Sequence, residues 1–233
     1  MKKKCIEIDG ISIEITRKAI KNLNMRIYPP DGFVRVSAPF GLNEHFIHQF
    51  LQSKKDWIKE KKLQLQQRTP VSKNKLVTGE SFYILGKRYR LLILSRAEQA
   101  EIKIKKDELC IYINAQTTEQ QKQSLLDQWC KLHMTEKLPE LIEKWSIIIG
   151  VKAKEWRIRK MKTRWGSCNV RAKRICLNLR LIHTPSLCME YVLVHELVHL
   201  LEPSHNKRFY ALMNKFMPEW KHYKQLLDSS SFL

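Results

Sequence analysis

The sequence predicts an α+β protein: a β-rich region over residues 1–115, then a helical region over residues 116–233 that carries a small sheet. Period-two alternation of apolar and polar residues dominates the first region, and helical periodicity dominates the second. Turn and cap residues fall between the periodic stretches. With 233 residues and 43% hydrophobic content, the chain can bury a sizeable core as one large or two small domains.

CIEIDGISIEITR alternates cleanly and carries Asp9-Gly10 at its centre, the signature of a tight hairpin. MRIYPPDGFVRVSAP repeats the pattern around a Pro-Pro-Asp-Gly turn. Residues 43–68 read as one helix capped by Asn43, with Phe46, Phe50, Trp57, Ile58 and Leu65 as its buried stripe. A polar connector over 70–79 leads to strands at 81–85, 87–94, 101–105 and 109–114, with Asp107 in the last turn. Residues 117–150 predict a long helix begun by Thr118, closed by Gly150, and kinked or split by Pro139. Strands follow at 156–159 and 174–181, then a helix over 186–201 between Pro185 and Glu202-Pro203. A helix over 205–216 takes Ser204 as its cap, and residues 220–227 add a last turn or two before a loose tail. No internal repeat is visible in the sequence.

Six cysteines form no C-x-x-C pair and are too sparse for a stapled secreted scaffold, so free thiols in a reducing compartment are expected. The basic start MKKKCIEIDG meets Glu7 and Asp9 at once and lacks the apolar run of a secretory signal. No stretch approaches the roughly 18 apolar residues of a spanning helix. A cytoplasmic protein with no membrane partner is the expectation.

The net charge of +20 predicts attraction to polyanions, nucleic acid first. Residues 151–180 hold eleven Lys or Arg and one acid, Glu155. Lys152, Lys154, Arg157, Arg159, Lys160 and Lys162 stand there as candidate nucleic-acid contacts. Trp156 and Trp165 are interleaved with them, a pattern suited to stacking on single strands.

VHELVHLLEPSHNKRF holds three histidines and two glutamates at positions 195–205. His195 and His199 are one turn apart on a predicted helix and share a face. Glu196 is rotated about 100° from His195, poor as a ligand but placed to reach a bound water. H-E-x-x-H on a helix encodes this zinc-hydrolase geometry. A catalytic zinc takes three protein ligands and keeps one open position. His205 is the third ligand expected after the helix break, with Glu202 as its rival; His183 and His222 are more remote. One Zn2+ per chain would then activate water for peptide hydrolysis, with Glu196 as general base. Tyr210, Arg164, Asn206 and Arg208 are candidates for stabilising an oxyanion or contacting substrate. Gly166 is read as permitting a tight turn. Asn178 and Arg180 are read as the polar face of a strand at the cleft edge, able to pair with an extended peptide. The alternative is a nucleic-acid-binding protein whose zinc site is structural or non-proteolytic.

RWGSC (164–168), LNLRL (177–181), YVLVHELVHL (191–200) and PSHNKRFYALM (203–213) together resemble the YgjP-like metallopeptidases, relatives of the SprT-like and WLM zincins. RIYPPDGFVRVSAP, KKDWI (54–58) and LGKRYRL (85–91) extend the resemblance over almost the whole chain. It implies a zincin-like, gluzincin-type C-terminal domain in which His195, His199 and His205 match the metal ligands and Glu196 the base. It also implies a protein or peptide substrate, and relatives of the SprT and WLM type act on proteins associated with DNA. Tyr210 departs from the pattern, where Trp is expected.

Overall fold

Both four-stranded sheets of the protein begin with a hairpin closed by two residues of positive φ. In the computed structural model, residues 3–28, 32–67, 76–95 and 99–229 are described. The chain divides into two compact units, Met1–Val71 and Ser72–Leu233.

In the first unit, β1 (Lys3–Ile8) and β2 (Ile11–Lys18) are joined through Asp9 (φ 48°) and Gly10 (φ 76°). That is the left-handed pair the sequence predicts for a tight hairpin. β3 (Asn24–Tyr28) and β4 (Phe33–Pro39) form the second hairpin, whose Pro29–Asp31 turn lies outside the described residues. β2 and β4 pair in parallel, giving the order β1-β2-β4-β3. The helix expected over 43–68 is two helices, α1 (Glu44–Ser53) and α2 (Lys55–Gln67), broken at Lys54. Asn43 caps α1 as expected. The buried stripe is Ile47, Leu51 and Ile58, while Phe46 (59% exposed) and Trp57 (43%) face outward. Phe50 packs at the edge of this core, and the Leu65 side chain lies outside those described. Aliphatic side chains, rather than the larger aromatics beside them, fit against Ile13, Val34 and Val36 of the sheet.

The second unit opens with the same plan. β5 (Ser81–Ile84) and β6 (Lys87–Leu94) turn through Leu85 (φ 50°) and Gly86 (φ 87°). β7 (Glu101–Lys105) and β8 (Glu108–Tyr112) follow, β6 runs parallel to β8, and the order is β5-β6-β8-β7. Hairpin, hairpin, parallel closure and helix thus occur twice, although the sequence shows no repeat. α3 (Glu119–Ile149) carries a capping box between Thr118 and Gln121 and ends on Gly150 in the left-handed region. It is one helix: Pro139 does not split it.

β9 (Glu155–Arg159), β10 (Gly166–Asn169) and β11 (Arg174–Asn178) make a three-stranded sheet of order β10-β11-β9. The strand expected over 174–181 stops at Asn178, and a 3-10 turn (Leu179–His183) leads into α4 (Ser186–Val198). α5 (Lys207–Phe216) and α6 (Trp220–Ser229) complete the unit. One core joins Leu109 and Ile111 of the first sheet, Met134 and Leu138 of α3, Ile175 and Leu177 of β11, and Leu193 and Leu197 of α4. The boundary expected at residue 115 therefore falls inside this unit, because β5–β8 bury their apolar face in the same core as α3. No described helix is long and apolar enough to cross a membrane.

Candidate metal centre

α4 is buried along nearly its whole length, so its two histidines are held on a rigid support. His199 closes the helix, its N–H reaching the carbonyl of His195 at 3.3 Å. The chain then turns through Glu202, whose N–H bonds the Val198 carbonyl. Asn206, not Ser204, caps α5: its Oδ1 accepts from Phe209 N–H at 3.0 Å. The cap falls later because Ser204 and His205 belong to the returning turn, which brings His205 back over the helix end. His195, His199 and His205 each offer a ligand nitrogen, and these lie within 4.8 Å of one another. His195 Nε2 and His205 Nε2 are 2.9 Å apart. Nitrogens bound to zinc at about 2.0–2.1 Å in a tetrahedron are roughly 3.3 Å apart. The cluster is therefore able to coordinate one metal ion.

Phe209 forms the floor, with its ring centroid 4.9, 4.7 and 4.7 Å from those of His195, His199 and His205. Burial, with His199, His205 and Lys224 nearby, pushes the His195 imidazole down to about 3, so its nitrogen stays unprotonated. Burial also lowers His199. His199 Nδ1 lies 3.2 Å from the Glu202 carbonyl oxygen and donates to it, which leaves Nε2 free to ligate and fixes the ring. Glu202 thus contributes its carbonyl, not the carboxylate the sequence offered as a rival ligand. Its carboxylate accepts from Ser204 N–H and faces Arg208 at 4.0 Å. His183 bonds the Tyr83 carbonyl at 3.0 Å and lies outside the cluster, as does His222.

Glu196 is 5% exposed, and burial pushes its carboxyl up to about 8, against the pull of Arg164. β10 passes directly over it. A Cβ at Gly166 would fall 2.5 Å from Glu196 Oε1 and 2.8 Å from Val192 Cγ1. Gly166 therefore sits within a strand and makes room for the glutamate, rather than serving a tight turn. A glycine inside a strand is the general sign of such an approach.

Asn178 is the residue whose role the sequence reading missed. It is fully buried on the central strand, so it borders no cleft edge and pairs with no incoming peptide. Its Nδ2 donates to the carbonyls of Met161 and Arg164 at 2.8 and 2.7 Å, and its Oδ1 accepts from Met161 N–H and Arg180 N–H. Every hydrogen-bonding position of the side chain is used: three bonds fasten the 161–164 loop beside the site, and the fourth caps the 3-10 turn. Arg180 is exposed on the 3-10 turn.

Of the other expected contacts, Arg164 lies near Glu196, and Tyr210 stacks beside His205 at 6.3 Å. Asn206 is occupied as the α5 cap, and Arg208 is exposed opposite Glu202. Cys168 is no ligand; burial, with Glu196 close by, pushes its thiol up to about 11. Lys152, Lys154, Arg157, Arg159, Lys160 and Lys162 are exposed, with Lys160 paired to Asp127 and Arg157 to Glu155. Trp156 and Trp165 pack against the core, so the interleaved aromatics are not a free stacking platform.

Fold and site define a metallopeptidase-like protein with a three-histidine cluster able to coordinate a metal ion. The YgjP-like metallopeptidase domain model matches residues 21–230, and the chain belongs to that family. Among solved structures, the metallopeptidase zymogen abylysin of Pyrococcus abyssi is 26% identical, with 38% of this chain and 90% of that chain covered at a TM-score of 0.36. The zymogen jannalysin of Methanocaldococcus jannaschii is 17% identical, with 40% and 94% covered at a TM-score of 0.36. No curated protein matches the chain.

Proposed function

We propose that the protein is a zinc-dependent peptidase with one Zn2+ per chain, held by His195, His199 and His205. The observation that carries the reading is the donor set. Among the described residues no fourth His, Cys, Asp or Glu joins the three histidines. A structural zinc site fills all four positions with protein ligands, and a catalytic one leaves a position open. Zinc, when bound, supplies Lewis acidity, which lowers the pKa of water and polarises a carbonyl.

The chain's own residues do the rest. His199 is oriented by the Glu202 carbonyl, and Phe209 backs all three rings on a dry side. Glu196, next to His195 and walled by Gly166, would take a proton from the attacking water once the positive charge of a bound ion offset the upward push of burial, and would return it to the leaving amine nitrogen. Arg164, close to Glu196, and Tyr210, stacked beside His205, are side chains able to donate to a developing oxyanion. Membership of a metallopeptidase family supports a protein or peptide substrate, and the +20 charge supports a nucleic-acid partner.

Elemental analysis of protein purified without a metal-binding tag should give about one zinc per chain, lost in His199→Ala. Glu196→Gln should keep the zinc and lose about 10²–10⁴-fold in cleavage of a peptide library. Zinc without cleavage in the wild type would favour the alternative, a non-proteolytic site on a nucleic-acid-binding protein.

A further inference from the structure

The three-stranded sheet has two unlike faces. Trp156, Ile158, Ile175 and Leu177 point inward to the core. Glu155, Arg157 and Arg159 of β9 alternate with them and share the outer face with Arg174 and Cys176 of β11, the register partners of Glu155 and Arg157. Glu155, the one acid of residues 151–180, is spanned by Arg157 and Arg174. Its charge is thereby spent within the sheet. Lys152, Lys154, Arg159 and Lys162 are exposed, and none of them makes an ion pair among the described residues. Cys176 marks the middle of this face: burial pushes its thiol up, while Arg159, Arg157 and Arg174 around it pull the other way.

We infer that this outer face, together with the exposed Lys154 and Lys162 on either side of β9, docks the phosphate backbone of duplex nucleic acid. The inference rests on the nucleic-acid reading above and gives it a place and a mode. Side chains on one face of a strand recur about every 6.6 Å, so Arg157 and Arg159 stand one step apart on β9, and the exposed Lys154 and Lys162 flank the strand. Asn178 fastens the backbone at Met161 and Arg164, so Lys162 rides on an ordered loop and less entropy is lost on binding. Single-strand binding draws on exposed aromatics for base stacking. Here both tryptophans pack against the core, which leaves phosphate contacts, and these hold a duplex without reading its sequence.

The test is anisotropy of a labelled 20-base-pair duplex, and of one of its strands alone, titrated with zinc-loaded full-length protein over a salt series. Lys154→Ala/Arg159→Ala/Lys162→Ala should weaken duplex binding at least tenfold and flatten the salt slope by about three. Lys131→Ala/Lys137→Ala/Lys215→Ala, which removes equal charge from exposed positions elsewhere in the unit, should change little. Duplex should also slow alkylation of Cys176 in the wild type more than that of the exposed Cys5. Wild-type binding unchanged in the β9 variant, with Cys176 unprotected, would overturn this face and leave a nucleic-acid partner standing elsewhere. Preference for the single strand, with quenched tryptophan fluorescence, would overturn the duplex mode. No binding at low salt would remove the nucleic-acid reading itself, while the zinc and peptidase measurements stay independent of all three results.

Discussion

A methyl group at position 166 would meet the Glu196 carboxylate, so Gly166→Ala tests whether that contact matters to the site. It should cost about 1–3 kcal/mol of stability, because β10 or α4 must shift. If β10 gives way and the buried α4 stays in place, zinc content should hold while cleavage falls; unchanged turnover would show that the close approach is irrelevant to Glu196. Asn178→Ala should destabilise by about 1–3 kcal/mol for each buried group left unpaired among Met161 and Arg164. Asn178→Asp should be no milder, because a carboxylate would face two carbonyl oxygens; urea unfolding of both variants checks this. The histidines were legible because spacing on one helix is a local rule. Gly166 and Asn178 were not, because their partners lie far away in sequence, at Glu196 and at Met161. Only their burial and contacts reveal them.

Elements were legible in kind more than in extent. The Asp9-Gly10 hairpin, the Thr118 cap and the Gly150 stop follow from backbone chemistry that neighbouring residues determine. β11 ended early because Asn178 turns inward to bond a loop and at once caps the 3-10 turn, a choice that alternation in RICLNLRL cannot show. Ile58 and Phe50 of the expected stripe pack in the core, but Phe46 and Trp57 face outward, since hydrophobicity ranks Phe46 with Ile47. The 3-10 turn also carries a pH dependence. Burial lowers His183, against its bond to the Tyr83 carbonyl; Arg180 and Lys160 add to the lowering and Asp127 opposes it. A depressed folded pKa means that the unfolded chain takes up the proton first. The neutral ring's contribution is therefore full above pH 6.5 and is lost as pH falls below it. His183→Gln keeps a donor for Tyr83 without titrating. In EDTA, the stability advantage of wild type over that variant should shrink between pH 7 and pH 5; a constant difference would refute it.

At the scale of the molecule, every ligand and its support lies in Ser72–Leu233. A chain of residues 72–233 should therefore bind one zinc with the affinity of the full protein, as competition with a chromogenic chelator would report. Markedly weaker binding would mean that the first unit contributes to the centre. The α+β class was legible from periodicity, but the unit boundary was not. Strand content changes near residue 115, whereas the core changes near residue 71, and only packing distinguishes a composition shift from a physical one. The twofold hairpin–hairpin–helix plan stayed hidden because it is kept by strand order and turn geometry: Asp-Gly and Leu-Gly serve the same turn with little else in common.

The order of these parts along the chain also sets a timetable. The contacts that define the first unit close within residues 1–71, so it can fold while the rest is still being made. His205 follows 134 residues later, about 7–27 s at ordinary rates of synthesis. Until the turn through Glu202 brings His205 back to His195, the growing chain holds only part of the donor set. Metal capture by the full cluster, and any hydrolysis that depends on it, must therefore wait until residue 205 has been made and folded back.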